Sequence, residues 1–359
     1  MKQSIATDAV KLTASKIITM TISMISAMLL SRFRTLEEYG TYSQLLIVIS
    51  LVSSIFMFGL PNSINFFLAS AESSDEKQKF LSTYYTLSTI LSFISGLALV
   101  LAAPLIVNYF NNAIIKNFMY VLAVYPWAKI ILSSIENIYI VYEKTTRLIF
   151  FRILNSVSLL FIILLVEVFN LGFSMYMILF IAVEAVFALS VYIQVGNISG
   201  KIWTYFDKDL VRKILKFSVP LGLASVIGTL NIELDKLLIG RFFDTEQLAI
   251  YTNAAREMPV TIIASSITAV LMPQLVRLLK IGNKEKAIAL WSDATSLSYV
   301  FICFFASGLF TFAPEVISLL YSNKYLPGVS VFRIYNIVLL FRCTYFGIIL
   351  NSIGKTKFI

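Results

Sequence analysis

Six basic residues stand inside apolar stretches of this 359-residue chain: Lys16, Lys129, Lys236, Arg256, Arg333 and Arg342. A charge at the centre of a hydrocarbon layer costs roughly 2.5–3.5 kcal/mol on insertion scales, so it faces a cavity or a partner. Arg256, Arg342 and Lys129 are the candidates to line one cationic cavity, and the chemistry of such a cavity is anion binding. Arginine suits phosphate because its planar fork of donors takes two oxygens at once. The competing arrangement pairs each cation with an acid.

Several carboxylates are within reach of that second arrangement. Lys129 and Glu136 are seven residues apart, which puts them on one helix face with Ser133 and Asn137 beside them. Glu233, Asp235 and Lys236 crowd the segment NIELDKLLIGRF, and Arg256 and Glu257 lie in the apolar run that follows. If those two runs are consecutive antiparallel helices, Asp235 reaches Arg256. Asp235, Glu233, Glu257 and Glu136 are therefore the candidate ion-coupling groups. Glu184 stands alone in its run, either as a protonatable group or as the hydrogen-bond partner of another helix. Lys16 and Asp293 sit near the ends of their runs, where a side chain can snorkel to water. Arg333 and Arg342 are nine residues apart, about two and a half turns, so they point to opposite faces. Arg342 is the deeper of the two.

Other chemistries are excluded by what is missing. There is no histidine, which removes the commonest acid–base group and the commonest metal ligand. Cys303 and Cys343 fall in apolar runs and read as small buried hydrophobes. Gly354-Lys355-Thr356 imitates a phosphate-binding loop, but the required earlier glycine is Ile349. The sequence thus predicts no enzyme, no metal and no cofactor, with energy drawn from an ion gradient or from the substrate gradient.

The elements that position these residues follow from composition. Hydrophobic residues make up 58% of the chain and charged residues 14%, with a mean hydropathy of +0.84. A soluble domain has about half apolar and a quarter charged residues, and one globular core cannot absorb the surplus. Runs of about 20 apolar residues cross a bilayer, and ten segments meet that length: about 12–31, 41–68, 82–107, 117–140, 148–168, 174–196, 214–240, 249–276, 289–313 and 329–351. The N-terminus is polar and carries no cleavage site, so it is expected to be retained. The link 196–218 alternates Lys208, Arg212, Lys213 and Lys216 with apolar residues at helical spacing. It fits an interfacial helix or a plain extension of the seventh span.

With the N-terminus on the cytoplasmic side, 18 of the 29 Lys and Arg fall in cytoplasmic segments and 5 on the opposite side. The net charge of +9 is therefore a topology signal. No basic face outside the membrane is large enough for nucleic acid, and none is expected as a partner.

A repeat organises the whole. LLSRFRTLEEYGTYSQ (29–44) lies over LIGRFFDTEQLAIYTN (238–253), with Leu29/Leu238, Arg32/Arg241, Phe33/Phe242, Glu37/Glu246 and Tyr42/Tyr251 identical at an offset of 209. The register recurs at Glu76-Lys77 over Glu285-Lys286, Ala103-Pro104 over Ala313-Pro314 and Lys144-Thr145 over Lys355-Thr356. An even number of spans per repeat sets both halves parallel, as in transporters whose halves rock about a central site. The expected fold is an all-α, polytopic membrane protein of two pseudo-symmetric six-helix bundles around a central cavity. Residues 1–200 form the first bundle (helices 1–6) and 201–359 the second (helices 7–10), whose last two spans would begin where the sequence stops.

At these segments, with VRKILKFSVPLGLAS and LDKLLIGRFFDTEQLAIYTNAARE, the chain resembles the Wzx-type polysaccharide-transport branch of the multidrug/oligosaccharidyl-lipid/polysaccharide exporter superfamily. The resemblance implies a V-shaped cavity and alternating access. It implies a flippase that carries undecaprenyl-diphosphate-linked oligosaccharide from the cytoplasmic to the periplasmic leaflet, for export of O-antigen, capsule or a similar surface polysaccharide. It also implies the inner membrane as the location, with polysaccharide polymerase and chain-length machinery as candidate partners. A drug/cation antiporter of the same superfamily, which should have an acidic cavity, is the first alternative. A membrane-embedded polymerase or glycosyltransferase is the second, and the short external loops speak against it.

Overall fold

The computed structural model describes residues 2–200, 202–203, 205–256, 258, 260, 271–272, 274–342 and 347–352. These residues are helical nearly throughout, and no strand occurs among them. In chain order the helices are α1 (Lys2–Phe33), α2 (Leu36–Met57), α3 (Leu60–Ser63), α4 (Ser74–Phe110), α5 (Ile114–Leu122), α6 (Tyr125–Val141), α7 (Thr145–Val168) and α8 (Gly172–Ser199). They continue with α9 (Lys208–Phe242), α10 (Thr245–Ala254), α11 (Lys284–Thr311), α12 (Ala313–Leu320), α13 (Val329–Val338) and α14 (Ile348–Ser352). A π-helical turn, Ile64–Leu68, prolongs α3, and 3-10 turns at Asn323–Gly328 and Leu339–Arg342 flank α13.

Six of these helices, α1, α2, α4, α7, α8 and α11, are long and apolar enough to cross a bilayer. The expected span at 117–140 is a broken pair, α5 and α6, bent by 51°. The span expected at 41–68 is also interrupted, because Phe58 and Gly59 both adopt left-handed backbone and separate α2 from α3. Proline at the first turn of α6 and of α3 restarts each helix where its missing N–H matters least. The basic link resolves as an extension: Lys208 opens α9, which runs unbroken for 35 residues with Asp207 capping its first turn. At 1.5 Å per residue α9 is about 52 Å long, but, contrary to the span expected at 214–240, it is not among the helices apolar enough to cross a bilayer.

The repeat is visible in the caps. Thr35 accepts from the Glu38 amide at 3.1 Å, while the Glu38 carboxylate accepts from the Thr35 amide, a reciprocal box that starts α2. At an offset of 209, Asp244 accepts from the Gln247 amide at 2.7 Å where α10 starts. Ser73 and Asn283 cap α4 and α11 in the same way. The copies diverge at their prolines. α4 continues through Pro104, whereas α11 stops and Pro314 enters the first turn of α12.

The chain divides into two compact units, Met1–Ala249 and Ile250–Ile359. In the first, α1 lies along α7, and α6 packs between α4 and α8. Its core joins Leu60, Ile64, Tyr84, Tyr85, Ile131, Ile138, Val191 and Val195. A column of buried serines on α4 (Ser82, Ser88, Ser92, Ser95) lets its neighbours approach closely. α9 packs against α2, α3 and α4. Its closest approach uses two glycines: a Cβ on Gly59 would lie 2.6 Å from the Gly222 nitrogen, and a Cβ on Gly222 would lie 2.5 Å from the Phe58 carbonyl carbon. In the second unit, α11 packs on α13 and the following 3-10 turn around Ile302, Ala306 and Leu339. There the Asn336 amide donates to the Ala306 carbonyl at 2.6 Å.

Candidate functional site

The polar stripe expected on the fourth span exists on α6: Lys129, Ser133, Glu136 and Asn137 are all half-buried on it. Seven residues of helix rise about 10.5 Å, however, so Lys129 and Glu136 share a face without touching. Glu136 forms a short ion pair with Arg152 of α7 instead, and Lys16 of α1 approaches its other oxygen at 4.0 Å. The Glu136 charge is therefore balanced by Arg152 of α7 and not by Lys129. Asn137 donates at 2.8 Å to the carbonyl of Pro61, which binds α6 to α3, just past the break after α2.

Two turns along the stripe, Lys129 makes no ion pair among the described residues. The carboxylates whose charges act on it are Glu233 of α9 and Glu184 of α8. Glu184 is buried and accepts from the Asn155 amide of α7 at 3.4 Å. Glu233 is held by Lys236 at 2.7 Å along its own helix. Asp235 turns back on the backbone and accepts from the Lys236 amide at 2.8 Å. Ser54 of α2 and Thr229 of α9 meet at 3.1 Å. Three helices, α6, α8 and α9, therefore bring two ammonium and two carboxylate groups into one region of the first unit. Such an arrangement can hold an anion at Lys129 and exchange a proton or small cation at the carboxylates.

The end of α9 that carries the repeated motif is clasped by the first unit. Arg241 donates to the carbonyls of Asn108 and Tyr109 at 3.0 Å each, satisfying the last turn of α4, and stacks over the Tyr109 ring. Asn112 donates to Thr41 and to Gln44 at 2.9 and 2.7 Å. Gly40 leaves room for the backbone of Thr245, whose carbonyl oxygen would lie 2.0 Å from an added Cβ.

The other expected cations belong to the second unit. Arg256 is half-buried just past the end of α10, and Arg342 is exposed at the end of the 3-10 turn. Glu257 lies outside the described residues. Arg333 donates to the Phe310 carbonyl at 3.1 Å and lies over the Phe310 ring, which makes it a brace between α11 and α13. Cys303 is half-buried, and no cluster of three metal-ligating side chains occurs among the described residues. Sequence reasoning missed the Asn155–Glu184 contact and the Arg152–Glu136 pair. Their signal was present: Arg152 and Asn155 are three residues apart, on one face of α7.

With several bilayer-length helices among its described residues, interrupted spans and interior charges, the chain is a multi-pass membrane protein. The profile of the family described as "Polysaccharide biosynthesis protein" matches residues 29–330, and the chain belongs to that family. Its fold is that of the multidrug/oligosaccharidyl-lipid/polysaccharide exporter superfamily. It is similar to an inward-facing multidrug resistance MATE family transporter of the MOP superfamily, with a TM-score of 0.70 and 15% identity over 98% of this chain and 85% of that one. A mutant of the Vibrio cholerae MATE transporter VcmN aligns with a TM-score of 0.65 and 15% identity, over 99% of this chain and 86% of that one. A MOP superfamily transporter from Pyrococcus furiosus, whose binding pocket is described as reversed in polarity, aligns at 0.63 and 15% identity over 98% and 83%. No curated protein matches the chain by sequence.

Proposed function

We propose that the chain is a flippase that moves undecaprenyl-diphosphate-linked oligosaccharide from the cytoplasmic to the periplasmic leaflet of the inner membrane. The observation that carries this reading is the family match across residues 29–330, whose description is polysaccharide biosynthesis. In this reading, bundles 1–200 and 201–359 alternate about a cavity that presents Lys129, Arg256 and Arg342 to the diphosphate. Lys129 supports it as an interior cation with no carboxylate at ion-pair distance among the described residues. Glu136, Glu233, Asp235 and Glu257 are the groups assigned to ion coupling. Polysaccharide polymerase and chain-length machinery are the candidate partners of this role.

One observation favours a second reading, a cation-coupled drug antiporter. The similar solved structures include proteins titled multidrug transporters, and Glu184 and Glu233 lie near Lys129. Complementation separates the two. In a strain lacking its own polysaccharide flippase, the protein should restore surface polysaccharide, and Arg256→Ala or Arg342→Ala should lower it about tenfold with membrane insertion unchanged. Drug resistance without restored polysaccharide would favour the antiporter. Full export by both variants would remove those arginines from the site.

A further inference from the structure

A groove of about 680 Å³ lies between α7 and α8 of the first unit, with Tyr139 of α6 at its base. Its volume is in the ~300–1,000 Å³ range of ligand-sized sites. The lining is sorted by polarity. Arg147 at the start of α7 and Gln194 and Asn197 near the end of α8 gather at one end. Phe150, Leu154 and Val186 form the walls further in, and each is exposed, at 68%, 45% and 63%. Those exposures identify the face. At three- and four-residue steps the stripe continues along α7 through Val157, Phe161 and Leu164, an apolar surface suited to hydrocarbon.

The polar end is built, and its charge is uncompensated. Arg147 makes no ion pair among the described residues, and Tyr139 lines the groove beside it as a neutral phenol. Tyr139 in turn donates to the Gln194 carbonyl oxygen, and Gln194 donates to Ser190 at 3.2 Å. These bonds fix the amide and leave its second N–H unused. We propose that this groove binds an anionic glycerophospholipid, with the phosphate on Arg147 and Asn197 and one acyl chain along Phe150 and Leu154. The dimensions agree. From Arg147 to Leu154 the helix rises about 10.5 Å, within the ~15 Å depth of one leaflet. A guanidinium suits a phosphate diester, and an acyl chain suits the apolar walls.

Native mass spectrometry of the purified full chain, delipidated and then given phosphatidylglycerol or phosphatidylcholine, tests this. The wild type should retain phosphatidylglycerol as a one-to-one adduct and release phosphatidylcholine. Arg147→Gln should lower that retention about tenfold or more, the loss of one charge-assisted hydrogen bond. Leu154→Trp, which fills the groove and leaves the polar end intact, should lower it as well. Arg277→Gln, a cation of the second unit, should leave it unchanged, and elution as an intact monodisperse species checks each variant's fold. Equal retention by wild type and Arg147→Gln, or equal retention of both lipids, would overturn the proposal. So would retention of undecaprenyl diphosphate in place of phosphatidylglycerol, which would give the groove to the transported lipid.

Discussion

Gly222→Ala is the sharpest perturbation the packing offers. The added Cβ would lie 2.5 Å from the Phe58 carbonyl carbon, 2.8 Å from its oxygen and 2.9 Å from the Gly59 nitrogen. All three are backbone atoms, so no side chain can swing away, and α9 must separate from the break after α2. Overpacking of this kind destabilises by about 1–3 kcal/mol. Gly59→Ala meets the same obstacle from the other side and adds a left-handed backbone at φ +67, a further ~1–2 kcal/mol. Helix α9 carries its own control. Around Gly228 nothing lies within 4 Å of an added Cβ, and alanine in a helix interior is favoured over glycine by about 0.5–1 kcal/mol. Thermal unfolding of the detergent-solubilised protein, followed by thiol-reactive or tryptophan fluorescence, should therefore order the variants. Gly228→Ala should equal or exceed the wild type, Gly222→Ala should fall below it and Gly59→Ala should fall furthest. A Gly222→Ala protein as stable as Gly228→Ala would refute the close approach of α9 to the Phe58–Gly59 break.

The ion pair between Glu136 and Arg152, 37% and 22% exposed, lies between the surface limit and the buried limit. A double-mutant cycle with Glu136→Gln and Arg152→Gln should give a coupling of about 1–2 kcal/mol in chemical unfolding. The same cycle between Lys16 and Glu136 should give much less, since Lys16 is 63% exposed. Arg241→Gln removes two hydrogen bonds to the last turn of α4 and should weaken it by about 1–2 kcal/mol. Hydrogen exchange should then rise around Asn108–Asn112 and stay unchanged in α7. Asn137→Leu leaves the Pro61 carbonyl without its donor and should destabilise by about 1–3 kcal/mol in thermal unfolding.

Much of the architecture could be read directly because hydropathy and charge act on every residue of a span. The apolar runs at 82–107, 148–168 and 174–196 fall inside α4, α7 and α8. The paired segments at 29–44 and 238–253 carry matching helix caps because Thr35 and Asp244 do the same chemistry with different side chains. The interruptions were harder to see. Nothing in the hydropathy of 117–140 announces a 51° bend, and Pro126 marks it only in retrospect. The site was legible in part. Interior charges are conspicuous, so Lys129, Glu136, Glu184 and Glu233 stood out. Their partners were not, since Arg152 and Asn155 reach Glu136 and Glu184 only through the packing of α7 against α6 and α8. Spacing along one helix reports a shared face and says nothing of which neighbouring helix supplies the counter-charge.

The central claim is that the chain translocates a lipid-linked oligosaccharide, and reconstitution measures it most directly. Proteoliposomes loaded with labelled undecaprenyl-diphosphate oligosaccharide in the inner leaflet would be treated with a glycosidase that cannot cross the membrane. Lipid exposure should rise well above that of protein-free vesicles, and Arg256→Ala or Arg342→Ala should slow it about tenfold, the loss of one charge-assisted contact. Exposure no faster than in empty vesicles, from protein that exchanges a cationic drug for protons in the same membranes, would contradict the account.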